Sequence, residues 1–242
     1  MRNGCDLMTP ALEFHRALMR KSIRRTALSL VFVGAILFGA AGRLDWPEAW
    51  IFLALALAAS LGGGFWLARR DPALLSERLG SLIQPDQKVW DKVLMVVMLA
   101  FWICWLILMG LDAGRYHWSD VPPVFKGAGL ALIGLGSSLI WLTFKANSYA
   151  APVVKIQKSR GHLVVTSGPY AYIRHPMYAG ALLFIAGVPL LLGSWWGLAA
   201  GVVLLLIIAV RAVFEERTLA AELEGYADYA ARTRYRFVPY FW

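Results

Sequence analysis

The sequence predicts an all-α integral membrane protein of about six transmembrane helices, the last two a helical hairpin, with a cytoplasmic pocket formed by the C-terminal third. Three observations lead there. The 242 residues are 59% hydrophobic and 16% charged, where a soluble domain carries about 25% charged residues. The apolar residues gather into runs at about 26–42, 47–68, 93–111, 124–144, 177–192 and 195–213, each near or within the roughly 17–25 residues that cross a bilayer as a helix. Lysine and arginine, in turn, collect in alternate connections between those runs.

That alternation accounts for the net charge of +9. Arg2, Arg16, Arg20, Lys21, Arg24 and Arg25 precede the first run. Five cations lie between Arg69 and Lys92, five from Lys145 to Arg174, and five from Arg211 onward, while the intervening loops hold only Arg43, Arg115 and Lys126. Cations favour the cytoplasmic side of a membrane, so this pattern predicts a multi-pass protein with both termini in the cytoplasm, as in a bacterial inner membrane. The charge is topological, and nucleic acid is not an expected partner. A basic stretch before an apolar run also opens secretory signals, but a second span follows after a short turn, so the first helix is expected to be retained. Cys5 and Cys104 lie far apart with no CxxC or metal spacing, so both read as structural and no metal is expected.

Residues 1–25 read as a basic cytoplasmic tail, amphipathic or disordered on the inner leaflet. Residues 26–144 form a four-helix transmembrane region. Its first two spans are joined by "RLDWPEAW", where Pro47 suits a first helical turn and the tryptophans suit the interface. Small residues in "SLGGGFW" and "GAGLALIGLGSS" let helices approach closely in lipid. Gly127-Ala128-Gly129 follows no strand and is no dinucleotide fingerprint. Residues 145–242 are the third region. Its loop from about 145 to 176 exceeds the roughly 12–15 residues beyond which loops are usually functional or disordered, and "HLVVTSGPYAYIRHP" is not disordered in composition. Pro189 and the "GSWW" turn leave 177–213 as two full spans or a shorter hairpin, with Trp195 and Trp196 as outer-interface anchors.

Candidate chemistry concentrates in this last region. In "GPYAYIRHPMYAG" Tyr172, Arg174, His175 and Tyr178 crowd the start of a helix at Pro176. A helix start points free N–H groups and a positive dipole end outward, which suits a carboxylate or phosphate. An interfacial collar of aromatics and cations is the other reading. Downstream, Arg211 and Glu215 share a helix face with Glu216 beside it. Such a pair is usually a structural ion pair, yet ionisable groups at membrane depth tend to face a cavity. One anion-binding and one cation-binding wall would fit a zwitterion.

"HLVVTSGPYAYIRHPMYAG", followed after one hydrophobic hairpin by "EERTLAAELEGYADY", resembles the isoprenylcysteine carboxyl methyltransferase family and the related membrane phospholipid and thiol methyltransferases. The resemblance covers roughly residues 150–240. It implies S-adenosyl-L-methionine as cofactor, with S-adenosyl-L-homocysteine as product, in a pocket closed by the C-terminal region. By the resemblance, Lys155 stands where the family has a cofactor-contacting polar residue. His162, Leu163, Val164 and Val165 match the stretch lining the cofactor, Tyr170 matches the tyrosine of "S-G-x-Y", and His175, Pro176, Met177 and Tyr178 match "R-H-P-x-Y". Glu215 matches the first glutamate of "E-E-x-x-L", with Glu216 beside it, and Arg211 corresponds to the arginine assigned to the methyl acceptor.

With those roles, Arg174 and His175 would take the methionine carboxylate and Glu215 the ammonium. Tyrosine rings would flank the sulfonium, and His162 or Glu216 would serve any acceptor that needs a base. Arg211 and Glu215 are the catalytic candidates, Arg211 also binding the substrate. The expected acceptor is lipophilic or lipid-linked and enters from the bilayer: a prenylcysteine-like carboxylate, a phospholipid amine or a thiol. The ending "TRYRFVPYFW" also resembles nicotinamide-dependent membrane sterol reductases, although "EERTLAAELEGY" replaces their lysine- and cysteine-bearing pattern.

Overall fold

The computed structural model describes residues 8–84 and 86–242, with side chains from Leu12 onward. Its helices are α1 (Met8–Ala41), α2 (Pro47–Arg70), α3 (Pro72–Arg78), α4 (Val89–Met109), α5 (Pro123–Ala146), α6 (Pro176–Leu192), α7 (Trp195–Glu222) and α8 (Tyr226–Arg232). Strand structure among the described residues is limited to one bridge, Ile173 with Tyr235. Helices suit this chain because each satisfies its own backbone hydrogen bonds in hydrocarbon. Five are long and apolar enough to span: α1, α2, α4 with the π-helical turn that follows it, α5 and α7.

One expectation changes in detail, and one open alternative narrows. The first helix begins at Met8, so Arg16 through Arg25 are turns of α1 rather than a separate tail; Arg2 and Cys5 lie outside the described residues. The fifth run is a 17-residue helix with Pro189 near its end, and it forms the short arm of a hairpin. Gly193 closes it at φ +86°, where a side chain would be strained. Ser194 then caps α7 by accepting a hydrogen bond from the Gly197 N–H at 2.8 Å. The longer arm, α7, has 28 residues and so extends about 42 Å, beyond the roughly 30 Å of a hydrocarbon core. Its last turns therefore carry Arg211, Glu215 and Glu216 out at the basic end of the bundle.

Between α5 and α6 the packing is backbone against backbone. A Cβ on Gly129 would sit 2.6 Å from the Gly187 carbonyl oxygen, and one on Gly136 2.8 Å from that of Gly180. The paired glycines recur every seven residues on both helices, so one face of each meets the other along its length. Gly62, Gly63, Gly127 and Gly134 have nothing within 4 Å, so only part of each small-residue run is a packing face. Leu37, Trp46, Leu106, Met109 and Leu192 fill the core among α1, α4, α6 and the α1–α2 turn.

At the basic end the long loop folds back on itself. The Gln157 side chain donates to the Tyr149 carbonyl at 2.8 Å, and Arg160 donates to Ser148 Oγ at 2.8 Å. The C-terminal segment then returns over the start of α6, where the N–H groups of Arg174 and His175 donate to the carbonyls of Tyr235 and Arg236, each at 2.9 Å.

Candidate cofactor cleft

The folded loop, the first turn of α6, the last turns of α7 and helix α8 line a cleft partly open to solvent. Lys155, His162, Leu163, Val164, Val165, Tyr170, Arg174, His175, Met177, Tyr178 and Glu215 line it. Pro176 is fully buried as the first residue of α6, and Glu216 and Arg211 stand behind the wall.

The two glutamates divide the work because neighbours on a helix point about 100° apart. Glu215 faces the cleft and accepts the Tyr178 hydroxyl proton at 2.5 Å. Glu216 turns away and accepts from Arg174 Nε at 2.7 Å and Arg236 Nε at 3.0 Å, with His175 Nε2 also at 3.0 Å. Arg174 further donates through Nη1 to the carbonyls of Thr233, Arg234 and Ala230 at 2.8, 3.0 and 3.3 Å. The expected open anion site at Arg174 and His175 is thus engaged internally. Their geometry ties the C-terminal segment across the cleft, and the His175 ring stacks on Tyr178 at 5.3 Å.

Arg211 has a partner that its own neighbourhood in the sequence does not suggest. Its Nε donates to Asp91 Oδ1 at 2.7 Å and its Nη2 to the Pro152 carbonyl at 2.9 Å. Asp91, fully buried on α4, also accepts from Gln87 Nε2 at 2.8 Å and the Val154 N–H at 2.9 Å. Arg211 therefore joins α7, α4 and the loop segment beside the cleft, and its guanidinium lies 5.6 Å from the Tyr178 ring centre. Lys155 pairs with Glu77 at 2.7 Å.

The remaining wall is aromatic. Asn147 donates to the Tyr170 hydroxyl, and the Tyr229 hydroxyl donates to the Tyr170 carbonyl, each at 2.8 Å. Burial pushes the Tyr170 phenol up and the Tyr229 phenol to about 12. Tyr226 also lines the cleft, and its buried hydroxyl has no hydrogen-bond partner among the described residues. Burial, reinforced by Glu216 and Glu215, raises its pKa and keeps it a neutral donor. His162 stacks on Tyr149 at 4.5 Å and accepts the Gln157 N–H through Nδ1 at 3.4 Å. Burial, with Arg160 second, lowers its pKa to about 4, so it is uncharged at neutral pH. The signal that would have found the α8 tyrosines is in "YADY", where Tyr226 and Tyr229 stand three apart and share one helix face.

The fold and site together define a multi-pass α-helical membrane protein with a polar cleft at one end of its bundle. Residues 125–224 match the model of the phospholipid methyltransferase family. The protein-S-isoprenylcysteine O-methyltransferase of Schizosaccharomyces pombe is 27% identical over 55% of this chain and 64% of its own length. The cobalt-zinc-cadmium resistance protein CzcN of Cupriavidus metallidurans is 40% identical over 52% of this chain and 56% of its own. The chain thus spans less than two thirds of the curated relatives it matches. In architecture, a eukaryotic intramembrane Ras methyltransferase, isoprenylcysteine carboxyl methyltransferase, is similar with a TM-score of 0.52 at 20% identity, over 98% of this chain and 85% of that one. Over its C-terminal half the chain is thus similar in sequence to phospholipid and isoprenylcysteine methyltransferases, and its fold is similar to that of an intramembrane methyltransferase.

Proposed function

We propose that the protein is an S-adenosyl-L-methionine-dependent membrane methyltransferase acting on a lipophilic or lipid-linked acceptor from the side of the membrane that holds the basic end, the cytoplasm. The observation that carries this reading is the cleft itself: one carboxylate, Glu215, two uncharged donors or acceptors, Tyr226 and His162, and a tyrosine-rich wall. A buried hydroxyl without a partner costs stability unless a ligand completes it, so Tyr226 fits a polar molecule held there. The donor, when bound, supplies a methyl group on a cationic sulfur for in-line displacement.

The chain's contribution is alignment and electrostatics. Glu215 takes the donor's ammonium, and its bond from Tyr178 fixes the carboxylate's orientation. The first free N–H groups of α6 take the carboxylate, a role that Arg174 cannot fill while Glu216 and three carbonyls hold it, and Lys155 stands at the cleft wall in its pair with Glu77. Tyrosine faces attract a sulfonium, and the half-buried Val164 and Val165 exclude water beside it. Arg211, pinned by Asp91, holds the loop segment 152–154 at a fixed distance from Tyr178. Precise positioning of this kind contributes much of the rate in bimolecular displacements.

Purified protein in detergent tests the reading. S-Adenosylhomocysteine at a hundred times its dissociation constant should add about 2.7 kcal/mol to stability, and NADPH at the same concentration should add nothing. Glu215→Ala should abolish the gain. Stabilisation by NADPH alone would transfer the protein to the reductase reading.

A further inference from the structure

A second, larger opening lies on the other side of Met177. Helices α1, α2, α3, α5 and α6 leave a groove of about 1540 Å³, lined below by Leu67, Ile140, Trp141 and Phe184 and crowned by Arg25 and Arg78. Neither arginine takes part in an ion pair among the described residues, although carboxylates nearby are taken by other cations, as Glu77 is by Lys155. Arg78 rests on the Phe144 ring at 4.2 Å and donates through Nη1 to the Ala150 carbonyl at 2.9 Å. Its Nε and Nη2 have no hydrogen bond among the described residues. Arg25 reaches across from α1 to donate to the Gly80 carbonyl at 2.7 Å. Burial first, and the Arg25 charge second, lower the Arg78 pKa to about 10, which still leaves two like charges together at neutral pH.

Two uncompensated cations above an apolar trough form a site whose missing partner is an anion attached to hydrocarbon. We propose that this groove holds an anionic phospholipid of the surrounding leaflet, its phosphate between Arg78 and Arg25 and one acyl chain along Ile140, Trp141 and Phe184. A bilayer lipid suits it better than the methyl acceptor. Met177, at 3.7 Å from Arg78 Nη1, lines the cofactor cleft but not the groove, so a headgroup on Arg78 is walled off from Glu215. Because Arg78 grips Ala150 and touches Met177, both of which line the cleft, an occupied groove also braces that wall. The site stands whether or not the cleft binds S-adenosylmethionine.

The test is thermal unfolding of the full chain in neutral detergent, titrated with phosphatidylglycerol, phosphatidylcholine or inorganic phosphate. Phosphatidylglycerol should raise the midpoint, and the other two should not. Arg25→Gln, at an exposed position, should weaken the phosphatidylglycerol response about fivefold, as expected for loss of one interfacial cation. Arg78→Gln should weaken it at least as much, and Arg24→Gln, on the same helix but outside the groove, should leave it unchanged. Equal responses to both lipids, an equal response to free phosphate, or an unaltered response in Arg25→Gln would each overturn the assignment. S-Adenosylhomocysteine binding, measured in parallel, reports separately on the cleft.

Discussion

Arg211 on α7 and Asp91 on α4 lie 120 residues apart and meet at 2.7 Å, both buried. Their contact links the N-terminal half of the bundle to the loop that walls the cleft, since the same aspartate accepts the Val154 N–H. Asp91→Ala would leave Arg211 buried without a counter-ion, and breaking one side of such a pair costs about 3–5 kcal/mol. Thermal unfolding should show that loss. The double variant Asp91→Leu with Arg211→Met should lose less than Asp91→Ala alone, because it leaves no uncompensated charge.

Tyr226 gives a prediction with opposite signs in two measurements. Tyr226→Phe removes an unpartnered buried hydroxyl, so the ligand-free protein should melt at the wild-type temperature or above it. The affinity for S-adenosylhomocysteine, measured by calorimetry, should fall by roughly tenfold, the worth of about 1–1.5 kcal/mol for one hydrogen bond. A fall in both would make the residue merely structural.

His162 predicts an acid-side loss of stability. Its folded pKa is about 4, below the ordinary 6.5, so between those values the unfolded chain binds more protons than the native one. Stability is then unaffected by this group above pH 6.5 and declines as pH falls toward 4. His162→Asn should flatten that part of the melting-temperature profile, with the two proteins behaving alike above pH 6.5.

The glycine pairing separates close approach from ordinary helix propensity. Gly129→Ala places a Cβ 2.6 Å from both the Gly187 carbonyl oxygen and the Leu191 nitrogen. Neither backbone atom can move aside without parting the helices, and overpacking of this kind costs about 1–3 kcal/mol. Gly134→Ala, on the same helix with nothing within 4 Å, should be neutral or slightly stabilising. Unfolding midpoints of the two single variants decide it.

The apolar runs and the alternation of Lys and Arg are legible in sequence because lipid leaves a spanning segment little choice: its backbone hydrogen bonds must close within the helix. One wall of the cleft is legible for a related reason. Residues 162–165 and 170–178 are contiguous or nearly so, and a loop with a helix start places them together whatever the rest of the bundle does. The match of "EERTLAAELEGY" brings in Glu215, but the sequence alone gives both glutamates the same surroundings. Only the rotation of α7 decides that Glu215 faces the cleft and Glu216 meets Arg174, His175 and Arg236.

Asp91, by contrast, reads in sequence as one more polar residue at the start of a span, and Arg25 and Arg78 as ordinary members of a positive-inside pattern. Ion pairing and its absence depend on which helices touch, through contacts more than a hundred residues apart for Asp91 and more than fifty for Arg25. The sequence by itself determined a multi-pass helical protein, its basic end and one wall of its cleft, because those follow from local hydrogen bonding, hydropathy and short spacing. Tertiary structure alone decided which charges are neutralised and which stand open, because electrostatic partners are set by packing between distant helices.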